Sequence, residues 1–495
     1  MTIHQNCKKL LLKRNQTLLS IGRLFHKNTN KWYGASWNKY LLLGAIFLKI
    51  IVVGTSHAGY EAIQTLLKEQ PDAELHLYER GDTASFLSCG IQSYLEGIAE
   101  SLDSLHYATE GSYIEQNVNV HMNSDVVGIN PKAKTITVKT TDGETEESYD
   151  KLILSPGAAP VRIPIPGADL DNIFYVRGRN WAEKVKTRMG QSKKAVVVGG
   201  GYIGIEVAEA FAKVGIETTV IDSLDRVLNT YLDKEFVDVL NENMDQNGLT
   251  VRTSEMVKEV VGENGTVKKV VTDKGEYEAD TVIMAVGVRP NTKWLQGIVE
   301  LNPDGTVVID DYLETSEKDI FAMGDATKIP FAPNHGSKLI ALASNARRQG
   351  VIAAKNILEK KVKMPEVSGT SGLTLFDYKL ASTGVKDIDQ DSIDAEVAST
   401  FVVENIRPTF IDDEKVMMKI HFEKDSHRIV GAQLMSTYDV TASINVLSVA
   451  ISSGWTLEKL AFADFFFQPG FNRPWNYLNV LAQKALDDNF DSEKL

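Results

Sequence analysis

Two glycine-rich turns, each set between a short apolar run and a helical pattern, constrain this chain more than any other feature. In the later one, Ala195-Val196-Val197-Val198 leads into Gly199-Gly200-Gly201-Tyr202-Ile203-Gly204, a complete G-x-G-x-x-G, and a helical pattern continues to about Val214. A strand from Thr218 to Ile221 follows and ends at Asp222. Such glycines let the backbone close on a pyrophosphate at a helix N-terminus, and an acid about 20 residues on takes a ribose hydroxyl. The pattern predicts a βαβ dinucleotide fold. A carboxylate at Asp222 suits a free 2′-hydroxyl and repels a 2′-phosphate, which favours NAD, while Arg226 four residues on leaves NADP open.

The earlier turn repeats the design with one change. A strand over 49–53 enters Gly54-Thr55-Ser56-His57-Ala58-Gly59, a helical pattern covers Tyr60 to Lys68, and a strand from Glu74 to Tyr78 ends at Glu79. Ser56 stands where the middle glycine belongs. Two further buried strands break at glycine, one over Leu152-Ile153-Leu154 into Ser155-Pro156-Gly157-Ala158, the other over Thr281 to Val286 into Gly287; they close the first and second folds respectively. Ile320-Phe321-Ala322-Met323-Gly324-Asp325 reads as a strand delivering an aspartate to a glycine turn. The helical pattern after it, Lys338 to Leu358, is rich in small residues at its start, Ala341, Ala343, Ser344 and Ala346, which allows close approach to a flat ring.

From about residue 365 the texture changes. Residues 367–372 read as a linker, strands are expected over 401–404, 416–422 and 429–434, and helices over 439–453 and 456–461. The tail, Phe465 to Asn476, is too aromatic for water; it packs in its own core or, as we read it, against another subunit, symmetric homodimers being the commonest assembly.

A length of 495 residues suits about three domains, and a net charge of -13 argues against nucleic acid or an anionic membrane surface as partner. Two cysteines build no disulfide framework, which points to a reducing, cytoplasmic setting. Residues 1–48 differ from the rest, with eight Lys/Arg, no Asp or Glu, and an apolar run that merges into the first strand. That run is too short for a membrane span and lies where cleavage would damage the fold. A disordered basic tail or a start-site artefact is expected there.

Beyond that leader the chain has one cysteine, Cys89, in Ser85-Phe86-Leu87-Ser88-Cys89-Gly90. A lone thiol among Phe86, Leu87 and Ile91 is commonly a small buried hydrophobe. Some 30 residues past a dinucleotide turn, it is placed for redox chemistry instead.

Together these motifs resemble the FAD-dependent pyridine nucleotide-disulfide oxidoreductases, over residues 49 to about 490. The resemblance implies an α/β chain with two Rossmann-like dinucleotide-binding domains in a glutathione-reductase-like arrangement, the NAD domain inserted in the FAD domain, and a C-terminal α+β interface domain. The implied bounds are 49–164 and 288–364 for FAD, 165–287 for NAD and 365–495 for the interface. The disulfide reductases of that family carry a second cysteine four residues on; here Gly90-Ile91-Gln92-Ser93-Tyr94 supplies none, and the tail lacks their His and Glu. The chain is similar to the single-cysteine branch, which holds NADH peroxidase, water-forming NADH oxidase and coenzyme A-disulfide reductase. Gln92-Ser93 departs from the proline of the last.

What the resemblance implies is most like the peroxidase, because the oxidases usually have an apolar residue where Arg347 stands. FAD is then expected on Gly54, Ser56, His57, Ala58, Gly59, Glu79, Cys89, Ser155, Pro156, Gly157, Ala158, Arg177, Asp325, Ala341 and Ala343. NAD(H) is expected on Gly199, Gly201, Ile203, Gly204, Asp222, Tyr231, Gly287 and Gly372. The implied catalytic set is Cys89, His57, Arg347 and Glu61. Cys89 thiolate would attack hydrogen peroxide and become a sulfenic acid, which NADH reduces through FAD. Arg347, the flavin or His57 is expected to lower the thiol pKa, with His57 neutral and Glu61 orienting it. The implied assembly is a homodimer or homotetramer, with no metal. The alternatives are a water-forming NADH oxidase, with oxygen as acceptor, and a thiol-based redox sensor.

Overall fold

The computed structural model describes residues 48–488, so the expectation for the basic leader falls, but for Leu48, outside the described residues. The first sheet is parallel. Its central strand, β1 (Lys49–Val53), runs through Ile50, Ile51 and Val52, all fully buried, as expected of a strand covered on both faces. Helix α1 (His57–Glu69) leads to β2 (Glu74–Tyr78), whose far neighbour is β3 (Asn119–His121), while β4 (Lys151–Leu154) pairs on the other side of β1. An antiparallel sheet of Asp125–Asn130, Thr135–Thr140 and Gly143–Ser148 covers one face.

A second parallel sheet is then completed before the first resumes. It has β5 (Ile173–Tyr175), β6 (Lys194–Val198), helix α2 (Tyr202–Lys213), β7 (Glu217–Ile221), helix α3 (Lys234–Gln246), β8 (Leu249–Arg252) and β9 (Thr281–Met284), in spatial order β8-β7-β6-β9-β5. The chain returns to the first sheet as β10 (Ile320–Ala322), which pairs with β4 and gives the order β10-β4-β1-β2-β3. One fold is inserted in the other. Both crossings run through one antiparallel ribbon, Ala158–Pro160 against Val288–Pro290. Helix α4 (Ala343–Asn356) lies on α1 so closely that a Cβ on Gly350 would come within 2.4 Å of the Ala58 carbonyl oxygen.

The third sheet is antiparallel, in the order β11 (Ser371–Leu375), β12 (Tyr378–Gly384), β15 (Ile429–Ser436), β14 (Lys415–Glu423), β13 (Val397–Asn405). Helices α5 (Ile444–Ser452), α6 (Leu457–Ala461) and α7 (Tyr477–Ala485) share its core. The stretch read as a linker ends inside this sheet: Gly372 pairs with Ala381 in the β11–β12 hairpin. Only Leu373 and Leu375 carry that strand's apolar alternation, too little to outweigh its Gly and Ser. Helix α5 starts at Ile444, short of the expected 439, because a single tight turn over Thr441–Ser443 precedes it.

Candidate active site

Four parallel strands of the first sheet end at one place. The β1–α1 turn passes close under Ser155 at the end of β4: a Cβ on Gly54, whose φ is +96°, would meet the Ser155 carbonyl oxygen at 2.2 Å. A Cβ on Gly59 would lie 1.9 Å from the Gly54 oxygen. Beside it, Glu79 accepts from the Thr55 hydroxyl at 2.7 Å, from the Thr55 amide at 3.2 Å and from the Gly81 amide at 2.9 Å. Asp325, just past β10, takes Arg177 at 3.1 Å, and Arg177 borders Gly157. The structure thus brings together Gly54, Ser56, His57, Ala58, Gly59, Glu79, Ser155 to Ala158, Arg177 and Asp325, with Ala341 and Ala343 at the α4 start.

Cys89 sits in a tight turn, Ser88–Gly90, at the junction of the two folds. Gly178 donates to the Ser88 hydroxyl at 3.2 Å, and Phe86, Ile91 and Leu95 pack in the same core as Ile205, Val207 and Phe211 of α2. The thiol is exposed to a water-sized molecule yet walled by protein. That enclosure, with Glu206 and Asp325 nearby, pushes its pKa up, and Arg177 is the cation that opposes them.

Arg347 does something else. Its guanidinium bonds Glu61 at 2.8 Å and lies 4.9 Å from the ring centres of both Tyr60 and Tyr107. Burial first and Arg347 second lower the pKa of His57, whose ring stacks on Tyr107 at 4.9 Å. Glu61 therefore partners the arginine and not the imidazole. His57 Nδ1 is buried without a hydrogen-bond partner, and burial pushes the Tyr107 phenol, which faces the Ser56 hydroxyl, up to about 12. An orphaned imidazole nitrogen beside a phenol and a reachable thiol is a place for a small polar molecule.

At the second turn, Asp222 takes the Gly200 amide at 2.6 Å and the Leu224 amide at 2.8 Å. Tyr231 stacks on Tyr202 with ring centres 3.7 Å apart. Gly201 and Gly287 both face open space, and Ile203 is exposed beside them. Gly372 is one residue from Ser371, whose hydroxyl meets that of Tyr202 at 3.2 Å.

Three contributors escaped the sequence reading. Tyr107 and Tyr60 carry no spacing signal. Glu206 had one: a carboxylate in the apolar run Ile203-Gly204-Ile205-Glu206-Val207. Burial, then Glu209 and Glu96, pushes it up to about 7.

The comparisons with known proteins agree with this architecture. The pyridine nucleotide-disulphide oxidoreductase family matches residues 48–350, and the dimerisation domain of that family matches residues 370–477. The chain belongs to the pyridine nucleotide-disulphide oxidoreductase family. It is 44% identical over 445 residues to an NADH oxidase of Enterococcus faecalis, covering 89% of this chain and all of the relative. An NADH oxidase of Streptococcus pyogenes is 36% identical over 455 residues, again across the relative's full length. Among solved structures, a water-forming NADH oxidase of Lactobacillus brevis bound to NADH aligns with TM-score 0.87 and 40% identity, covering 89% of this chain and 98% of the other. These relatives are oxidases by name, so the family expectation holds while the peroxidase member finds no support. The chain is a flavoprotein oxidoreductase, and FAD and NAD(H) are its cofactors. The glycine cradles, the unspent acceptor capacity of Glu79 and Asp222 and the orphaned His57 Nδ1 fit that pair. Among the described residues no helix is long and apolar enough to cross a membrane.

Proposed function

We propose that the protein is an NADH oxidase that takes dioxygen to water, with Cys89 disposing of the peroxide formed halfway. One observation carries the reading: a single reachable thiol among the described residues, at the junction of two dinucleotide turns, with His57 Nδ1 unpaired beside Tyr107 and Arg347. The names of the relatives support oxygen as acceptor. The peroxidase expectation rested on the oxidases' usual apolar residue at the position of Arg347, with the guanidinium expected near the thiol; that guanidinium instead bonds Glu61 and acts on His57. A complete second cradle argues against a thiol sensor that turns over only incidentally.

The first turn, Glu79, Ser155 to Ala158, Arg177, Asp325, Ala341 and Ala343 would hold FAD. Gly199, Gly201, Ile203, Gly204, Asp222, Tyr231 and Gly287 would hold NAD(H). When bound, FAD supplies the two-electron chemistry, accepting hydride from NADH and delivering electrons to oxygen and to oxidised sulfur. Cys89 thiolate attacks one peroxide oxygen; the S–O bond forms, the O–O bond breaks and hydroxide leaves. Neutral His57 can take the Cys89 proton as the thiolate forms and return it to that hydroxide, giving water and the neutral imidazole again. The sulfenic acid then takes two electrons and a proton to return to thiolate and a second water. Among the described residues Cys89 has no second cysteine to form a disulfide with.

The aromatic tail leaves Phe466, Phe467 and Phe471 exposed, which supports a homodimer or homotetramer through the C-terminal domain.

Oxygen and NADH consumption measured together test the reading. The expected result is two NADH per dioxygen with no peroxide released, falling to one NADH per dioxygen with stoichiometric peroxide in Cys89→Ser. Turnover with added peroxide but none with oxygen would overturn it in favour of the peroxidase.

A further inference from the structure

Buried charge is concentrated at one place away from the thiol, where the second fold meets the C-terminal sheet. Asp233, the residue before α3, is 1% exposed, and His421 and Lys419 of β14 are 0% and 3% exposed. His421 Nε2 meets Asp233 at 3.1 Å and Asp387 at 3.0 Å. Lys419 Nζ donates to Asp387 at 2.8 Å and to Glu235 at 3.0 Å, and lies 3.3 Å from Asp233. Gln433 of β15 clamps Asp233 twice, accepting from its amide at 2.7 Å and donating to its carboxylate at 2.5 Å, and the Asp387 amide donates to the same carboxylate at 2.9 Å. Asp233, Asp387 and His421 have the donor spacing of a metal site, but the Lys419 ammonium already stands among their oxygens as the cation.

The network has a direct mechanical output. Asp233 is two residues past Tyr231, and the segment between them hangs at its other end from the glycine turn, where the Leu228 amide donates to the Gly200 oxygen at 2.7 Å. Tyr231 is thus stretched between the turn and the C-terminal sheet, and lies flat on Tyr202 at 3.7 Å. Tyr202 is itself tied to that sheet through Ser371.

We propose that the Asp233–His421–Asp387–Lys419–Gln433 network is a positioning device for the nicotinamide-nucleotide site, holding Tyr231 in register over Tyr202, so that NADH binding follows the charge state of the C-terminal sheet. The inference rests on the NADH-dependent reading above. Three carboxylates, Asp233, Asp387 and Glu235, face Lys419 and His421, so loss of the imidazolium proton leaves one cation against three anions. Burial lowers the His421 pKa, but its bonds to Asp233 and Asp387 outweigh that and raise it; Asp233 is correspondingly held well below its ordinary range despite burial. Lys386, buried on the Gly384 oxygen and sensing Asp233, Lys338 and Asp389, is pushed down to about 8 mainly by burial and loses its charge in the same direction. The network is therefore intact at acid and neutral pH and weakens as pH rises through the elevated His421 pKa.

The test is the Michaelis constant for NADH, with ferricyanide as electron acceptor so that oxygen chemistry is bypassed, between about pH 6 and about pH 9. In the wild-type holoenzyme the constant should rise several-fold towards alkaline pH while kcat changes by less than about twofold. His421→Gln should show the alkaline value already at about pH 6, with a flattened profile, and the charge-neutral Gln433→Leu should raise the constant about fivefold across the range. A wild-type constant that does not move with pH overturns the proposal without needing either variant. So do variants that lose thermal stability but keep the wild-type constant and profile, which would make the network structural only. Absence of NADH oxidation with ferricyanide as well as oxygen would instead overturn the oxidase reading itself, and this inference with it.

Discussion

The two glycine turns share a backbone and differ in what they present. At β1–α1 the middle glycine is Ser56, the helix opens on His57, and ionisable or aromatic groups crowd the mouth: Glu61, Arg347, Tyr60 and Tyr107. One polar atom there, His57 Nδ1, has no protein partner. At β6–α2 all three glycines are present, Asp222 is braced by two backbone amides, and the nearest aromatics stack on each other. On the proposed reading, one turn is equipped to react and the other to hold. The lesson is that two βαβ turns of one backbone design differ through the side chains around them, His57 opening α1 where Tyr202 opens α2.

The largest effect that bears on this comparison comes from the glycines the two turns have in common. Gly59→Ala and Gly204→Ala each put a Cβ 1.9 Å from a backbone oxygen, so both should cost about 3 kcal/mol or more and lower the melting temperature, with flavin lost in the first variant. Gly201→Ala meets no atom within 4 Å and should melt like the wild type while losing NADH affinity, which calorimetry and NADH titration would separate. Equal loss of stability in all three would mean the second turn is not an open cradle.

Next in size is Glu206. Its pKa in the fold, pushed up to about 7, lies above the ordinary carboxyl value of 4.5, so the protonated form is favoured in the fold and stability falls as pH rises from about 4.5 through 7. Glu206→Gln should match the wild type near pH 4.5 and exceed it by up to about 3 kcal/mol at pH 8, read from denaturant midpoints. The same change removes an anion that raises the Cys89 pKa, so thiolate reactivity should shift to lower pH. Smallest is Arg347→Met. It removes the lesser of two influences depressing His57, whose pKa should rise in an NMR titration yet stay below the ordinary histidine value, because burial is the larger cause.

Much of this was legible in the sequence because glycine turns report a backbone requirement directly. Both cradles, Glu79, Asp222, the Gly324-Asp325 turn and the lone Cys89 were found from spacing, whereas the insertion of one fold in the other was implied only by the family resemblance, since the strand ends alone closed the two folds in turn. What stayed hidden depends on pairing across long separations. Arg347 was expected on the thiol, but Glu61, 286 positions earlier, claims it once α1 and α4 pack. Tyr107 reaches His57 from a loop with no periodicity, and β11 disguises itself as a linker because its Ser371 and Gly372 are spent on hairpin pairing. The Asp233 network was equally silent, since its members come from four separate stretches of chain.

The narrow ribbon of Ala158–Pro160 and Val288–Pro290 carries a consequence for how such a chain is assembled. The inserted fold enters and leaves through neighbouring strands, so its two ends are already side by side, and the pairing of β10 with β4 closes the host sheet without any help from the guest. A module tethered in that way leaves the host's strand order untouched, and any replacement for it has only to match two adjacent chain ends and the apolar face that meets Phe86, Ile91 and Leu95.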